Sequence, residues 1–136
     1  MQIRDVTPAE ILETTTLWQA AGLTRPWNPP EEDFARALDG PTSTILGAFD
    51  ANSLMGTVMV GHDGHRGWIY YLAVAETHRG SGLGRQLMAA AEHWLRTHRV
   101  VKVQLMVRSS NDAVLGFYDR LGYENVEAQV RSKWLS

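Results

Sequence analysis

The chain contains no cysteine. That absence removes disulfide staples, thiolate zinc sites and a cysteine nucleophile together. No run approaches the roughly 20 apolar residues of a spanning helix, and the opening MQIRDVTPAE lacks the apolar core of a secretion signal. A reduced, cytoplasmic compartment is therefore expected. Strong net charge is also missing: 13 Lys and Arg against 15 Asp and Glu leave −2, so no global field argues for a nucleic-acid or membrane partner. There is no internal repeat, low-complexity tract or linker. What is present is 136 residues, 44% of them hydrophobic, enough for one domain over residues 1–136 with a real core.

Charge is uneven along this chain. Residues 1–40 hold seven acidic side chains against three basic, whereas residues 76–102 hold five basic against two acidic. Solvated helix faces explain such runs in general. The sharper reading places a cationic ligand near the first region and an anionic one near the second.

The element pattern is mixed. VTPAEI opens a helix, with Thr7 as N-cap, Pro8 at the first position and Glu10 closing a capping box. Ile11, Leu12, Thr15, Trp18 and Ala21 then share a face, and Gly22 ends it. A loop, RPWNPP, leads to a short helix near residues 30–38. STILGAFD and LMGTVMVG read as strands joined at Asp50–Ser53, and WIYYLAV as a third strand after the loop GHDGHRG. Leu83, Leu87, Met88, Ala91, Trp94 and Leu95 form a helical stripe. VVKVQLMV predicts an interior strand, SSNDAVLGFYDRLGY a helix from Asn111 or Asp112 to Gly122, and ENVEAQVRSKWL a closing strand. The order is that of an α/β domain with early antiparallel hairpins and a later βαβ unit.

Between the third strand and the next helix lies ETHRGSGLGRQLM, with glycines at 80, 82 and 84. A P-loop would need a Lys-Ser/Thr pair, and a dinucleotide fingerprint needs G-x-G-x-x-G; neither is present. A strand, a tight turn and a helix N-terminus nevertheless favour an anion, because free N–H groups and the helix dipole converge there. Glycine lets such a backbone take positive φ and lets a phosphate approach closely. Arg79 and Arg85 flank the turn. One glycine would suffice for packing; three argue for a diphosphate cradle.

Arg79-Gly80-Ser81-Gly82-Leu83-Gly84 resembles the R/Q-x-x-G-x-G/A signature of the GCN5-related N-acetyltransferase (GNAT) superfamily, and Asn111, Tyr118, Gly122 and Tyr123 resemble its second signature. GHDGHRGWIYYLAV, with RPWN, is further similar to the bacterial YpeA-like subgroup. The resemblance implies a central, mostly antiparallel mixed sheet flanked by helices on both faces, with the fourth and fifth strands splayed. It implies acetyl-CoA as co-substrate, its pantetheine arm bonded to backbone groups of Leu72, Ala73 and Val74 at a bulge. Its pyrophosphate would lie on Arg79, Gly80, Ser81, Gly82, Leu83, Gly84 and Arg85. Asn111 would contact the arm or simply cap its helix. Tyr118 would contact the cofactor and act as general acid, a phenol being protonated at neutral pH.

Lacking cysteine, the chain is expected to acetylate an amine by direct attack in a ternary complex. The general base is the departure from the family pattern, since WIYYLAV has no carboxylate. Asp63 and His65 lead the candidates, with His62, Tyr70, Tyr71, Glu31, Glu32 and Asp33 behind them. Trp27, Asn28 and Tyr71 are candidates for acceptor contact, although Trp27 could equally pin its loop to the core. No metal site is expected from the sparse His and Asp residues of the loop. The acceptor is a small-molecule or peptide amine, and a homodimer is suggested by the resemblance alone. The alternative is a non-catalytic acyl-CoA-binding module, favoured by the missing strand carboxylate; an ATP-binding protein ranks last.

Overall fold

A short strand that the sequence reading does not anticipate opens the chain: β1, Gln2–Asp5. The computed structural model describes all residues, Met1–Ser136, as two compact units, 1–106 and 107–136. In the first unit β1 is followed by a 3₁₀ turn, Pro8–Glu10, and by α1 (Ile11–Ala20) and α2 (Pro30–Leu38). Then come β2 (Ser43–Asp50), β3 (Ser53–His62), β4 (Gly67–Val74), a 3₁₀ turn at Glu76–His78, α3 (Leu83–Thr97) and β5 (Val103–Leu105). The strands form one sheet in the order β1-β2-β3-β4-β5, antiparallel except for the parallel β4–β5 pair. The second unit holds α4, Asp112–Arg120.

The predicted capping box forms, with the Thr7 N–H donating to Glu10 Oε1 at 2.9 Å. Arg4 on β1 grips the same carboxylate with both terminal nitrogens, at 3.0 and 2.8 Å. Bonds from Arg4 and Thr7 outweigh burial and hold the Glu10 carboxyl down at about 2. The face of α1 agrees with expectation at Thr15 and Trp18, which are buried, and differs at Leu12, which is exposed while Thr14 is buried. The threonines tolerate burial because their hydroxyls donate back to the Glu10 and Ile11 carbonyls. At the β2–β3 hairpin, Ala51 and Asn52 both take positive φ, the two-residue turn whose twist suits paired strands.

Two expected strands are corrected. Only Val103–Leu105 of VVKVQLMV pairs, and it ends the sheet order rather than lying inside it, with Val101 exposed. Residues 124–136 form no strand. Their alternation supplies an apolar face, yet Val126, Val130 and Trp134 stay exposed; a strand exists only where an edge accepts its ladder.

Helices cover both faces of the sheet. A Cβ on Gly56 would meet Leu87 of α3 at 2.9 Å, whereas its neighbour Thr57 bonds Trp18 of α1. A Cβ on Gly67 would meet Leu95 of α3 at 2.7 Å. An unbroken β4 would therefore carry Ile69, Tyr71 and Ala73 toward α3 as well. It is broken: Met59 pairs with Tyr70 and Thr57 with Ala73, so β4 spends three steps where β3 spends two. This bulge turns Tyr71 and Ala73 to the opposite face, among Trp18, Phe34 and Ile45 beneath α1 and α2.

Candidate active site

The bulge is centred on Tyr71, whose φ is +51°. A non-glycine residue held there costs about 1–2 kcal/mol, so the surroundings must hold it. The ring stacks on Trp18 with centroids 3.9 Å apart, and the hydroxyl donates to Asp33 Oδ2 at 2.7 Å. The carbonyl accepts from the Thr57 hydroxyl at 3.0 Å. Burial, then the bond to Asp33 and its negative charge, push the Tyr71 phenol up.

Tyr71 and Leu72 have no partner on β3, and the β4–β5 ladder ends at Ile69. The strand is thus open on both edges at its bulge. Beyond it the Ala75 N–H returns to Met55 O at 2.7 Å, and the 3₁₀ turn leads into the glycine stretch. Gly80 and Gly82 take φ of +78° and +86°, and a Cβ on either would meet nothing within 4 Å. Gly82 caps α3, and the first helical bond runs from Gln86 N–H to Gly82 O at 3.1 Å. The N–H groups of Leu83, Gly84 and Arg85 therefore head the helix without an intrahelical acceptor. No acidic side chain stands in that first turn to offset the dipole. Arg79 approaches from the strand side, its Nε donating to Val74 O at 3.4 Å, and Ser81 donates its hydroxyl to the His78 carbonyl. An open strand edge leading to an open, donor-rich helix N-terminus fits a long ligand with amides at one end and a diphosphate at the other.

Tyr71 also joins residues that the sequence keeps apart. Asp33, in the first turn of α2, takes the Tyr71 hydroxyl and the Asn28 amide, at 2.7 and 2.9 Å, on the same oxygen Oδ2. Asn28 ends a tight turn closed by its N–H to Arg25 O at 3.1 Å. Trp27, at the tip of that turn, is 64% exposed. It does not pin the loop to the core, and its indole stands free.

Asp63 and His65 occupy the β3–β4 turn instead. Asp63 Oδ1 accepts the His65 and Arg66 N–H groups at 2.9 and 2.8 Å, and Oδ2 accepts the Trp68 indole at 3.4 Å. Those backbone bonds hold the carboxyl at about 2, a poor base. From the start of β4, Tyr71 lies about 13 Å along the strand. His62 belongs to the same turn region, its Nδ1 accepting the Gly64 N–H at 3.2 Å. Tyr70 points outward and is partly exposed.

In the second unit Asn111 caps α4, its Oδ1 accepting the Val114 N–H at 3.4 Å. Tyr118 is buried, with the rings of Phe117 and Tyr123 set edge-on at 5.0 and 5.7 Å. Burial raises its phenol above the usual value.

Residues 11–123 match the family described as acetyltransferase (GNAT) family. The chain belongs to this family. As a GNAT protein it is an acetyltransferase, and acetyl-CoA is its acetyl donor. Among solved structures it is similar to the aminoglycoside antibiotic 6′-N-acetyltransferase AAC(6′)-IG from Acinetobacter haemolyticus, with 18% identity, TM-score 0.81 and full coverage of both chains. It is also similar to AAC(6′)-Iy in complex with the bisubstrate analogue CoA-S-monomethyl-acetylneamine, with 15% identity, TM-score 0.84 and 99% and 98% of the two chains covered. A third is described as a transcriptional regulator from Bacillus halodurans C-125, with 18% identity, TM-score 0.80 and 98% and 99% covered. At such identities these likenesses speak for the GNAT fold, with its splayed β4 and β5, and not for a shared substrate.

The sequence reading missed Thr57 and the junction at Asp33. Thr57 carried a signal: it is the lone hydroxyl inside the apolar run LMGTVMVG, and a buried hydroxyl needs partners. The Asp33–Tyr71 bond had none, spanning 38 positions.

Proposed function

We propose that the chain moves an acetyl group from acetyl-CoA directly to the amine of a small molecule or peptide, both substrates being bound together. The observation that carries this reading is the open, bulged stretch of β4, with a donor-rich helix N-terminus beyond it and the Asp33–Tyr71–Asn28 group beside it. Acetyl-CoA supplies a thioester activated toward nucleophiles. The Leu72–Val74 backbone binds the pantetheine amides and polarises the thioester carbonyl, while residues 79–85 hold the pyrophosphate. Asp33 replaces Asp63 and His65 as the candidate base. Its Oδ2 is occupied by two neutral donors, whereas Oδ1 is left to receive an ammonium and take its proton. Tyr118, buried and protonated at neutral pH, is the proton donor to the leaving thiolate. Trp27 and Asn28 flank the acceptor.

The second reading, an acyl-CoA binder without turnover, is favoured by the absence of any acidic residue on β4. Asp33 meets that objection by bringing a carboxylate to β4 from α2.

The test is thermal unfolding with acetyl-CoA, CoA and ATP, followed by thiol-release assays on a panel of amines. At about 100 times its dissociation constant a ligand adds roughly 2.7 kcal/mol. Stabilisation by the two CoA compounds but not by ATP is expected, with turnover on at least one amine. Stabilisation without turnover on any of them selects the binder, and no stabilisation overturns both readings.

A further inference from the structure

We propose that Thr57 and Trp18 are positioning residues for acetyl-CoA. Through two hydrogen bonds they fix the Tyr71–Leu72 peptide and so aim the Leu72 N–H into the gap between β4 and β5. This rests on the reading above, in which that edge takes the pantetheine arm.

Both residues are completely buried. The Trp18 indole donates to Thr57 Oγ1 at 2.9 Å, and Thr57 Oγ1 donates to Tyr71 O at 3.0 Å. A hydroxyl suits this place because it accepts one bond while giving another. Valine has the same shape and a better record in apolar strands, so a threonine here is a desolvation cost unless both bonds are used. They end on a carbonyl that neither strand ladder engages, since Tyr71 has no partner on β3 and the β5 ladder has already stopped. The peptide unit is planar and trans, so its C=O and N–H point in opposite directions. Holding the Tyr71 carbonyl against Thr57 of β3 therefore turns the Leu72 N–H away from β3, toward the side that β5 has vacated. Release of the carbonyl would let this peptide plane rotate, and the donor would lose its aim.

The experiment is calorimetric titration of CoA into wild type, Thr57→Val and Thr57→Ser. A parallel titration uses adenosine 3′,5′-diphosphate, a fragment without the pantetheine arm. The expected result is CoA binding weakened about tenfold or more in Thr57→Val, restored to within about threefold in Thr57→Ser, and fragment binding unchanged in both. Equal loss for CoA and the fragment would indicate general loosening and overturn the proposal, as would wild-type CoA affinity in Thr57→Val. Should Thr57→Val not fold, Trp18→Phe decides: weakened CoA with intact fragment binding supports the relay, and unchanged CoA affinity overturns it. A wild type that binds no CoA is a separate outcome, which removes the underlying reading instead.

Discussion

The two ends of β4 are built by opposite rules. At Gly67–Ile69 the strand is laddered on both edges, to β3 and to β5, and the turn before it is closed by a carboxylate with both oxygens engaged. At Tyr71–Leu72 it is laddered on neither, and the nearby carboxylate of Asp33 keeps one oxygen free. Asp63 and Asp33 carry the same functional group, yet only one has capacity left for a ligand. Satisfied polar groups build structure; chemistry needs the unsatisfied ones, held in place by their neighbours.

Exchanging the two carboxylates breaks the comparison most directly. Asp33→Asn is expected to lower kcat about 100-fold on whichever amine the panel identifies, the scale of a lost general base. Asp63→Asn should leave kcat unchanged and lower the melting temperature by a few degrees, because the turn loses its negative charge and the oxygen that accepts the Trp68 indole. Equal effects of the two substitutions on kcat would refute the assignment. The open end can be sharpened at Gly82, where Val would have to adopt φ of +86° beside the helix start. Gly82→Val should weaken CoA at least about tenfold, readable by calorimetry, with the fold retained.

The smallest effect concerns pH. The Asp63 and Glu10 carboxyls are held at about 2, below their ordinary 3.8 and 4.5. Between those limits the unfolded chain binds more protons than the folded one, so stability rises with pH across that window. The contribution is complete above about pH 4.5 and is lost as pH falls toward 2. Glu10→Gln should flatten the acid limb of a melting-temperature profile over that interval; an unchanged limb would show that the Arg4 pair contributes nothing.

Local chemistry is what the sequence made legible. The capping box at Thr7 and Glu10, the stripe of α3 and the positive-φ glycines at 80 and 82 all depend on residues a few positions apart. β1 escaped because QIRD offers one β-branched residue and exists only by pairing with β2. The tail failed in the other direction, its alternation being intact while it pairs with no strand. The bulge is a mismatch in count between two strands, which neither strand shows by itself. For the same reason Asp63, conspicuous in a loop beside two histidines, drew the assignment that Asp33 fits better.

The glycines at 56 and 67 have a mechanical consequence. Each lets α3 rest on the sheet where any side chain would collide with Leu87 or Leu95. The helix is about 22 Å long, and these two contacts set its height near either end, like the supports of a beam. Its N-terminus, where the free N–H groups of Leu83, Gly84 and Arg85 project, therefore sits at a level fixed partly from the far end of the sheet. A methyl group added at Gly67 would press on Leu95 and tilt the beam, moving those N–H groups without touching them, so the reach of the proposed cofactor site extends to a residue it never meets.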